Sequence, residues 1–276
     1  PVALLRREFR ASPSAGRCQA LVSADRTYRL WLNGHLVSRG PADIGMDYHR
    51  VQTGRWFYDV RELAPFLRPE GNVLAAEVFA DSLIGWEATR GRGAFLCELP
   101  GLAATDATWR VRPAIHWRKE QDCWRYEGGQ EPAGWRLPGF VDSAWSEAAV
   151  LDDLWQPLVA SEIPARMEAV YSPSSPFSPV MLAAGQSASV LYDRVLSAFV
   201  GLRVRGGKGG TLWVEPNETK APGFHRRAAL SLSGGEETVE LPFLDSFSAV
   251  HLRAEGCTEP VAVLDVGQQH LRRPLR

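Results

Sequence analysis

Strand signals dominate this chain. Leu202-Arg203-Val204-Arg205 alternates strictly between apolar and polar, and Gly206-Gly207-Lys208-Gly209-Gly210 then leads into Thr211-Leu212-Trp213-Val214-Glu215. That pattern predicts a hairpin whose glycines supply the turn conformations. Residues 56–58, 73–80, 94–99, 109–112, 238–241, 250–253 and 261–264 are further short apolar or alternating runs, set off by Gly, Pro and Asp. No segment keeps a helical period over three turns. Many short strands with turn signals between them predict an all-β chain of β-sandwiches or jelly rolls.

The sharpest local signal is residues 28–41, two strand-like runs meeting at Asn33-Gly34. Both central residues of a type I′ turn need positive φ, which Asn and Gly tolerate best. One short helical turn is expected from Asp59, whose carboxylate would cap free backbone N–H groups while Glu62 bonds back. Pro65 then ends that turn or opens a second, with Leu63, Phe66 and Leu67 facing inward.

A length of 276 residues predicts two domains. Pro157, Pro164, Pro173, Pro176 and Pro179 fall close together among serines, a composition that fixes extended geometry and removes backbone donors. The expected partition is residues 1–160, a Pro/Ser-rich linker over 161–179, and a second β-sandwich over 180–276.

Charge narrows the partners. Thirty-one Lys and Arg against thirty-two Asp and Glu give a formal net charge of −1, so neither nucleic acid nor a membrane is an expected partner. No apolar run approaches the length of a bilayer span. Residues 1–7 are too short and too quickly charged for a secretory signal, which points to the cytoplasm. Cys18, Cys97, Cys123 and Cys257 are widely spaced, so free thiols are expected, with no disulfide framework and no zinc site. Ten tryptophans are the anomaly. Indole faces serve sugar sites, but Trp is also a large core residue, and most of the ten are expected in the core.

Enzymatic chemistry finds little support. Glycoside hydrolysis needs two opposed carboxyl groups. The acidic candidates are loose: Asp43 with Asp47, Glu87, Asp152 with Asp153, and Glu215 with Glu218. Asp152-Asp153 and Glu236-Glu237 read as solvated charge. There is no Gly-x-Ser-x-Gly elbow. The six histidines show no His-x-x-x-His pair. No catalytic residue, metal or cofactor is expected on these residues.

The order of signals is more informative than any one of them. The Asn33-Gly34 turn, Tyr58-Asp59-Val60, a short apolar turn, and Arg68-Pro69-Glu70-Gly71-Asn72 before a strand resemble the N-terminal β-sandwich domain of bacterial α-L-rhamnosidases. More loosely, they resemble the sugar-binding jelly rolls of other glycoside hydrolases. Asp106-Ala107-Thr108-Trp109-Arg110-Val111 is similar to one strand of that family. Gly134-Trp135 with Pro138-Gly139-Phe140-Val141-Asp142-Ser143-Ala144-Trp145 is similar to its closing phrase, with Val141 where the family usually carries Asp. Ile163-Pro164 resembles the crossover into the next domain. Tyr192-Asp193 and residues 199–206 and 230–237 give shorter matches. Two stretches depart from the pattern: Tyr192-Asp193-Arg194-Val195, and residues 244–250 where the family has a Tyr-His-Gly-Phe-Arg type of phrase.

The resemblance, to glycoside hydrolase family 78, implies galactose-binding-like jelly-roll domains that accompany a catalytic barrel. In that family the acid and base carboxylates sit on a C-terminal (α/α)6 barrel longer than this chain. The implied role is an accessory region, carbohydrate-binding or scaffolding, in a protein that hydrolyses terminal α-L-rhamnosyl residues with inversion. Its partners would be that catalytic domain, absent from these residues, and glycans containing L-rhamnose. A free-standing lectin-like protein and an inert remnant of a truncated hydrolase are the alternatives. Loops at one end of a sandwich commonly hold the ligand. Residues 44–50 and 81–87 occupy such positions, so Asp47, Tyr48, His49, Trp86 and Arg90 are the candidate carbohydrate-binding residues. The competing expectation is that Tyr48 and Trp86 pin loops to the core while the charges face water. No Asp-rich loop specifies calcium.

Overall fold

A computed structural model of the protein describes residues 2–11, 18–25, 27–40, 56–80, 93–121, 123–152, 157–161, 167–174, 177–218 and 226–272. In chain order the strands begin β1 (Val2–Phe9), β2 (Gln19–Ala24), β3 (Thr27–Leu32), β4 (His35–Gly40), β5 (Trp56–Glu62) and β6 (Asn72–Phe79). Next come β7 (Phe95–Leu99), β8 (Ala103–Ala104), β9 (Arg110–Pro113), β10 (Trp117–Glu120), β11 (Cys123–Glu127) and β12 (Ser146–Glu147). Then follow β13 (Leu158–Ala160), β14 (Met167–Tyr171), β15 (Val180–Leu182), β16 (Ser187–Gly206) and β17 (Thr211–Asn217). The last four are β18 (Arg227–Ser231), β19 (Glu236–Glu240), β20 (Asp245–Glu255) and β21 (Val261–Arg272). The described residues hold no α-helix, only the 3-10 turn Ala64–Phe66. The protein is all-β.

The chain forms two compact units. The first comprises Pro1–Ala114 and Pro132–Ala165, the second Ile115–Glu131 and Arg166–Arg276. Sequence order alone puts residues 115–131 in the first domain. They pair instead with the second: β11 lies parallel to β18, with Cys123 opposite Arg227 and Glu127 opposite Ser231. Burial explains the excursion. Trp117, Trp124 and Tyr126 are all buried there, and the Tyr126 hydroxyl donates to Glu237 Oε2 at 3.0 Å. The stretch expected as a linker also carries structure, because β14 pairs antiparallel with β21. Its residues lie between Pro164 and Pro173, so every N–H needed for that pairing is present.

In the first unit a six-stranded sheet, β12-β9-β1-β6-β3-β4, and a five-stranded sheet, β13-β5-β2-β7-β8, supply the residues of one apolar core. Every second residue goes inward: Tyr28, Leu30 and Leu32 from β3, Leu74, Ala76 and Val78 from β6, Ala20 and Val22 from β2. The Asn33-Gly34 turn forms as expected, with φ of 54° and 85°. Asn33 is buried, and its Nδ2 donates to Phe66 O and to Asn72 Oδ1, each at 2.8 Å. Val73 N donates back to Asn33 Oδ1 at 2.9 Å. Two signals forty residues apart in sequence are therefore one hydrogen-bonded knot. The expected cap at Asp59 does not form, because Asp59 is already strand, opposite Val22. The short turn starts at Leu63 with no side-chain cap and Pro65 inside it, while Glu62 Oε1 accepts from Cys18 N and Ala64 N.

The second unit is built on a ten-stranded sheet, β10-β11-β18-β17-β20-β16-β21-β14, with β15 on β21 and β19 on β16. The hairpin expected over residues 202–215 is not one. The glycine turn is there, with Gly206, Gly207 and Gly209 at positive φ, but β16 and β17 do not pair. Residues 201–205 of β16 already have β19 on one edge and β21 on the other, so β17 crosses to pair with β20 and β18.

The four cysteines are free thiols, and burial pushes Cys97, Cys18 and Cys123 above the ordinary thiol range. Cys257 is half-buried. Native protein at pH 8 is therefore expected to yield one fast-reacting thiol to an aromatic disulfide reagent, with the other three reacting only after unfolding. Fast native reaction at Cys97 would contradict this packing.

Candidate functional site

The loop residues Asp47, Tyr48, His49, Trp86 and Arg90 lie outside the described residues, as do Asp43, Glu87 and Asp153. The described tryptophans are mainly core: Trp31, Trp109, Trp117, Trp124, Trp135 and Trp145 are all buried. Trp56 and Trp213 are half-buried, and Trp213 lies on a polar face. That face is where the second unit gathers its chemistry.

Strand period builds it. Leu212 and Val214 of β17, Val250, Leu252 and Ala254 of β20, and Val190 of β16 are buried apolar residues. The intervening residues must point the other way. Register then aligns them in rows. Ser187 and Trp213 flank Arg253, and Ser189 and Glu215 flank His251. Ala229 of β18 lies opposite Trp213, which puts Arg227 on the same face two residues away. Ser187, Ser189, Trp213, Glu215, Arg227, His251 and Arg253 line a groove of about 140 Å³.

Its contacts are specific. Ser189 Oγ and His251 Nδ1 are 2.8 Å apart. His251 is 7% exposed, and its Nε2 is shut off from solvent without a hydrogen-bond partner. The Trp213 indole N–H donates to Glu255 Oε2 at 2.7 Å, and Arg253 Nη2 donates to the same oxygen at 3.3 Å. The Arg227 guanidinium lies 4.8 Å from the Trp213 ring centroid, a cation–π contact.

Ser189, His251 and Glu215 stand in a row, yet they are not wired as a nucleophilic triad. That relay needs the serine on one ring nitrogen and the acid on the other. Here the serine occupies Nδ1, and no acid reaches Nε2. Among the described residues Glu215 is the groove's one lining carboxylate, so they do not assemble the paired acids of a glycosidase here either. An aromatic ring, guanidinium groups, a carboxylate and an imidazole suit binding. Of the acidic candidates among the described residues, Glu215 alone lines the groove. Glu237 is taken up by Tyr126 and Ser233, and Glu236 lies 3.7 Å from Arg203. Trp213, Arg227, His251 and Arg253 were not singled out from sequence. The available signal was the alternation that sets Trp213 beside Glu215 and His251 beside Arg253 at i, i+2.

The fold defines a class: an all-β region of multiple antiparallel sheets, consistent with tandem β-sandwiches. Solved structures sharing it include the Streptomyces avermitilis α-L-rhamnosidase complexed with L-rhamnose, at TM-score 0.72 and 22% identity over 99% of this chain and 28% of that one. The α-L-rhamnosidase from Dictyoglumus thermophilum follows at TM-score 0.68 and 14% identity, over 99% of this chain and 32% of that one. The native enzyme from Aspergillus terreus gives 0.63 and 16%, over 100% and 34%. The protein thus spans about a third of the α-L-rhamnosidases it resembles, and at these identities the likeness is one of fold. No protein-family model matches the chain, and no curated protein matches it.

Proposed function

We propose that this chain is the accessory, carbohydrate-binding region of an α-L-rhamnosidase-like glycoside hydrolase. One observation carries this reading: the likeness runs over 99–100% of the chain at TM-scores of 0.63–0.72, yet occupies only 28–34% of each α-L-rhamnosidase. A region with that relation to whole enzymes fits a module beside the chemistry. The groove agrees, since it offers binding groups and a single lining carboxylate.

Three measurements on the native polypeptide and on the isolated residues test it. The native polypeptide in its source is expected to have a mass well above the 30.5 kDa of these residues and to release the chromophore from an aryl α-L-rhamnoside. Residues 1–276 alone are expected to give no turnover. Hydrolysis by that fragment would move the active site onto this chain, and a native mass near 30.5 kDa would remove the parent hydrolase.

A further inference from the structure

We propose that the polar face shared by β16, β20, β17 and β18 is a binding groove for a neutral pyranose, with Trp213, Glu215 and His251 as its contact residues. This rests on the reading of the chain as a carbohydrate-binding region and assigns that binding to a place.

The imidazole of His251 is the strongest observation. A buried polar atom without a partner carries a free-energy cost, and native structures rarely retain one without a use. His251 lines the groove with Nδ1 engaged by Ser189 and Nε2 unengaged. Either the ring donates from Nδ1 and Nε2 accepts, or Ser189 donates to Nδ1 and Nε2–H donates. A hydroxyl both donates and accepts, so it satisfies Nε2 in either tautomer. An ionised carboxylate group, which only accepts, satisfies only one.

Charge points the same way. Arg227 and Arg253 are offset by Glu215 and Glu255, the latter fixed between the Trp213 indole and Arg253. Counting Glu255 beside the groove together with Glu215 in its lining, two carboxylates balance the two cations, so little net charge selects a charged ligand. Glu215 can accept from vicinal hydroxyls, and the half-buried Trp213 offers apolar surface to the C–H groups of a sugar ring. Arg227 and Arg253 are exposed side chains, and a ligand that reaches His251 displaces their contacts, Arg227 over Trp213 and Arg253 on Glu255. The groove is small, at about 140 Å³.

The test is calorimetric titration of residues 1–276 with L-rhamnose, L-fucose, D-galactose and D-glucose, with D-galacturonate as the charged comparison. At least one neutral sugar is expected to bind. Trp213→Ala and His251→Ala are each expected to weaken that binding by on the order of tenfold or more. His251→Gln, whose carboxamide again offers a donor and an acceptor, is expected to stay within roughly threefold of the parent. His251 is buried, so His251→Ala is checked by its melting curve. Arg227→Ala on the exposed rim gives a variant that leaves the core untouched, expected to shift affinity without a change in melting.

Sugar binding unaffected by Trp213→Ala and by both His251 variants would overturn the groove while leaving a carbohydrate-binding region intact. Preference for D-galacturonate would overturn the neutral ligand class. No binding across the panel would overturn both the groove and the carbohydrate-binding role.

Discussion

Replacing Arg6 with methionine is expected to cost the first unit about 3–5 kcal/mol, the range for removing one partner of a buried charged network. Arg6 is 1% exposed on β1, where Leu4 and Val2 before it are also buried. Its guanidinium bonds to Trp135 O at 3.1 Å and to Phe140 O and Leu137 O at 3.3 Å each. It also pairs with the Asp142 carboxylate, and with Glu8 Oε1 at 2.7 Å. Glu8 is 47% exposed, so that pair contributes little. The larger loss is the tether. Arg6 gathers most of residues 135–142, with Glu8 Oε1 accepting from Gly139 N at 2.8 Å beside it, and Trp135 packs against Trp31 and Trp145. Methionine fills much of the volume but leaves the carbonyls unpaired. Lysine, a single ammonium without the planar fork, is expected to recover only part of the loss. Denaturant unfolding followed by tryptophan emission measures it, with hydrogen exchange over residues 132–145 to localise it. A change under about 1 kcal/mol would show that the segment is held by its aromatic packing alone.

Asn33→Ala is expected to cost about 3–4 kcal/mol, since two effects coincide. The side chain satisfies Phe66 O, Asn72 Oδ1 and Val73 N; Asn72 Oδ1 keeps Arg68 N as a donor, but Phe66 O and Val73 N lose this partner at about 1–3 kcal/mol each. Alanine is also strained at a φ of 54°. Asn33→Gly separates the two, because it keeps the turn conformation and loses only the hydrogen bonds. Asn33→Ala and Asn72→Ala share one bond, so their costs are expected to be less than additive in a double-mutant cycle. Full additivity would mean that the 2.8 Å contact between them contributes nothing.

These two residues also mark what sequence can convey. Asn33-Gly34 is legible because a type I′ turn has a local chemical requirement, and the alternation around it sets which face is buried. Arg6 is not legible in this way. An arginine at the apolar phase of a strand looks like an error of pattern until residues 135–142 fold over it. The resemblance to α-L-rhamnosidases named the closing phrase around Gly134-Trp135 without showing that Arg6 holds it. Strand content and the β3–β4 hairpin were therefore readable, but the longer-range pairing was not. Nothing in residues 202–215 reveals that both edges of β16 are taken, which turns an apparent hairpin into a crossing. Nor does sequence order show that Trp117, Trp124 and Tyr126 find their cover against β18 and its neighbours, a hundred residues on.

The groove follows the same logic. Alternation gives Trp213 with Glu215, and His251 with Arg253, as pairs on a face. Only the register of β17, β20 and β16 brings the pairs together and adds Ser189. Dispersed histidines in a sequence are weak evidence of anything. One histidine in a groove, with one nitrogen engaged and the other not, is a specific claim about a ligand.

The most direct test of sugar binding by this chain is a titration of ¹⁵N-labelled residues 1–276 with L-rhamnose and the other neutral sugars, observed in the tryptophan indole region. The Trp213 indole signal, identified by its loss in Trp213→Phe, is expected to move, while those of the buried Trp31, Trp109, Trp135 and Trp145 stay in place. Movement confined to other tryptophans, or none for any neutral sugar, would contradict it.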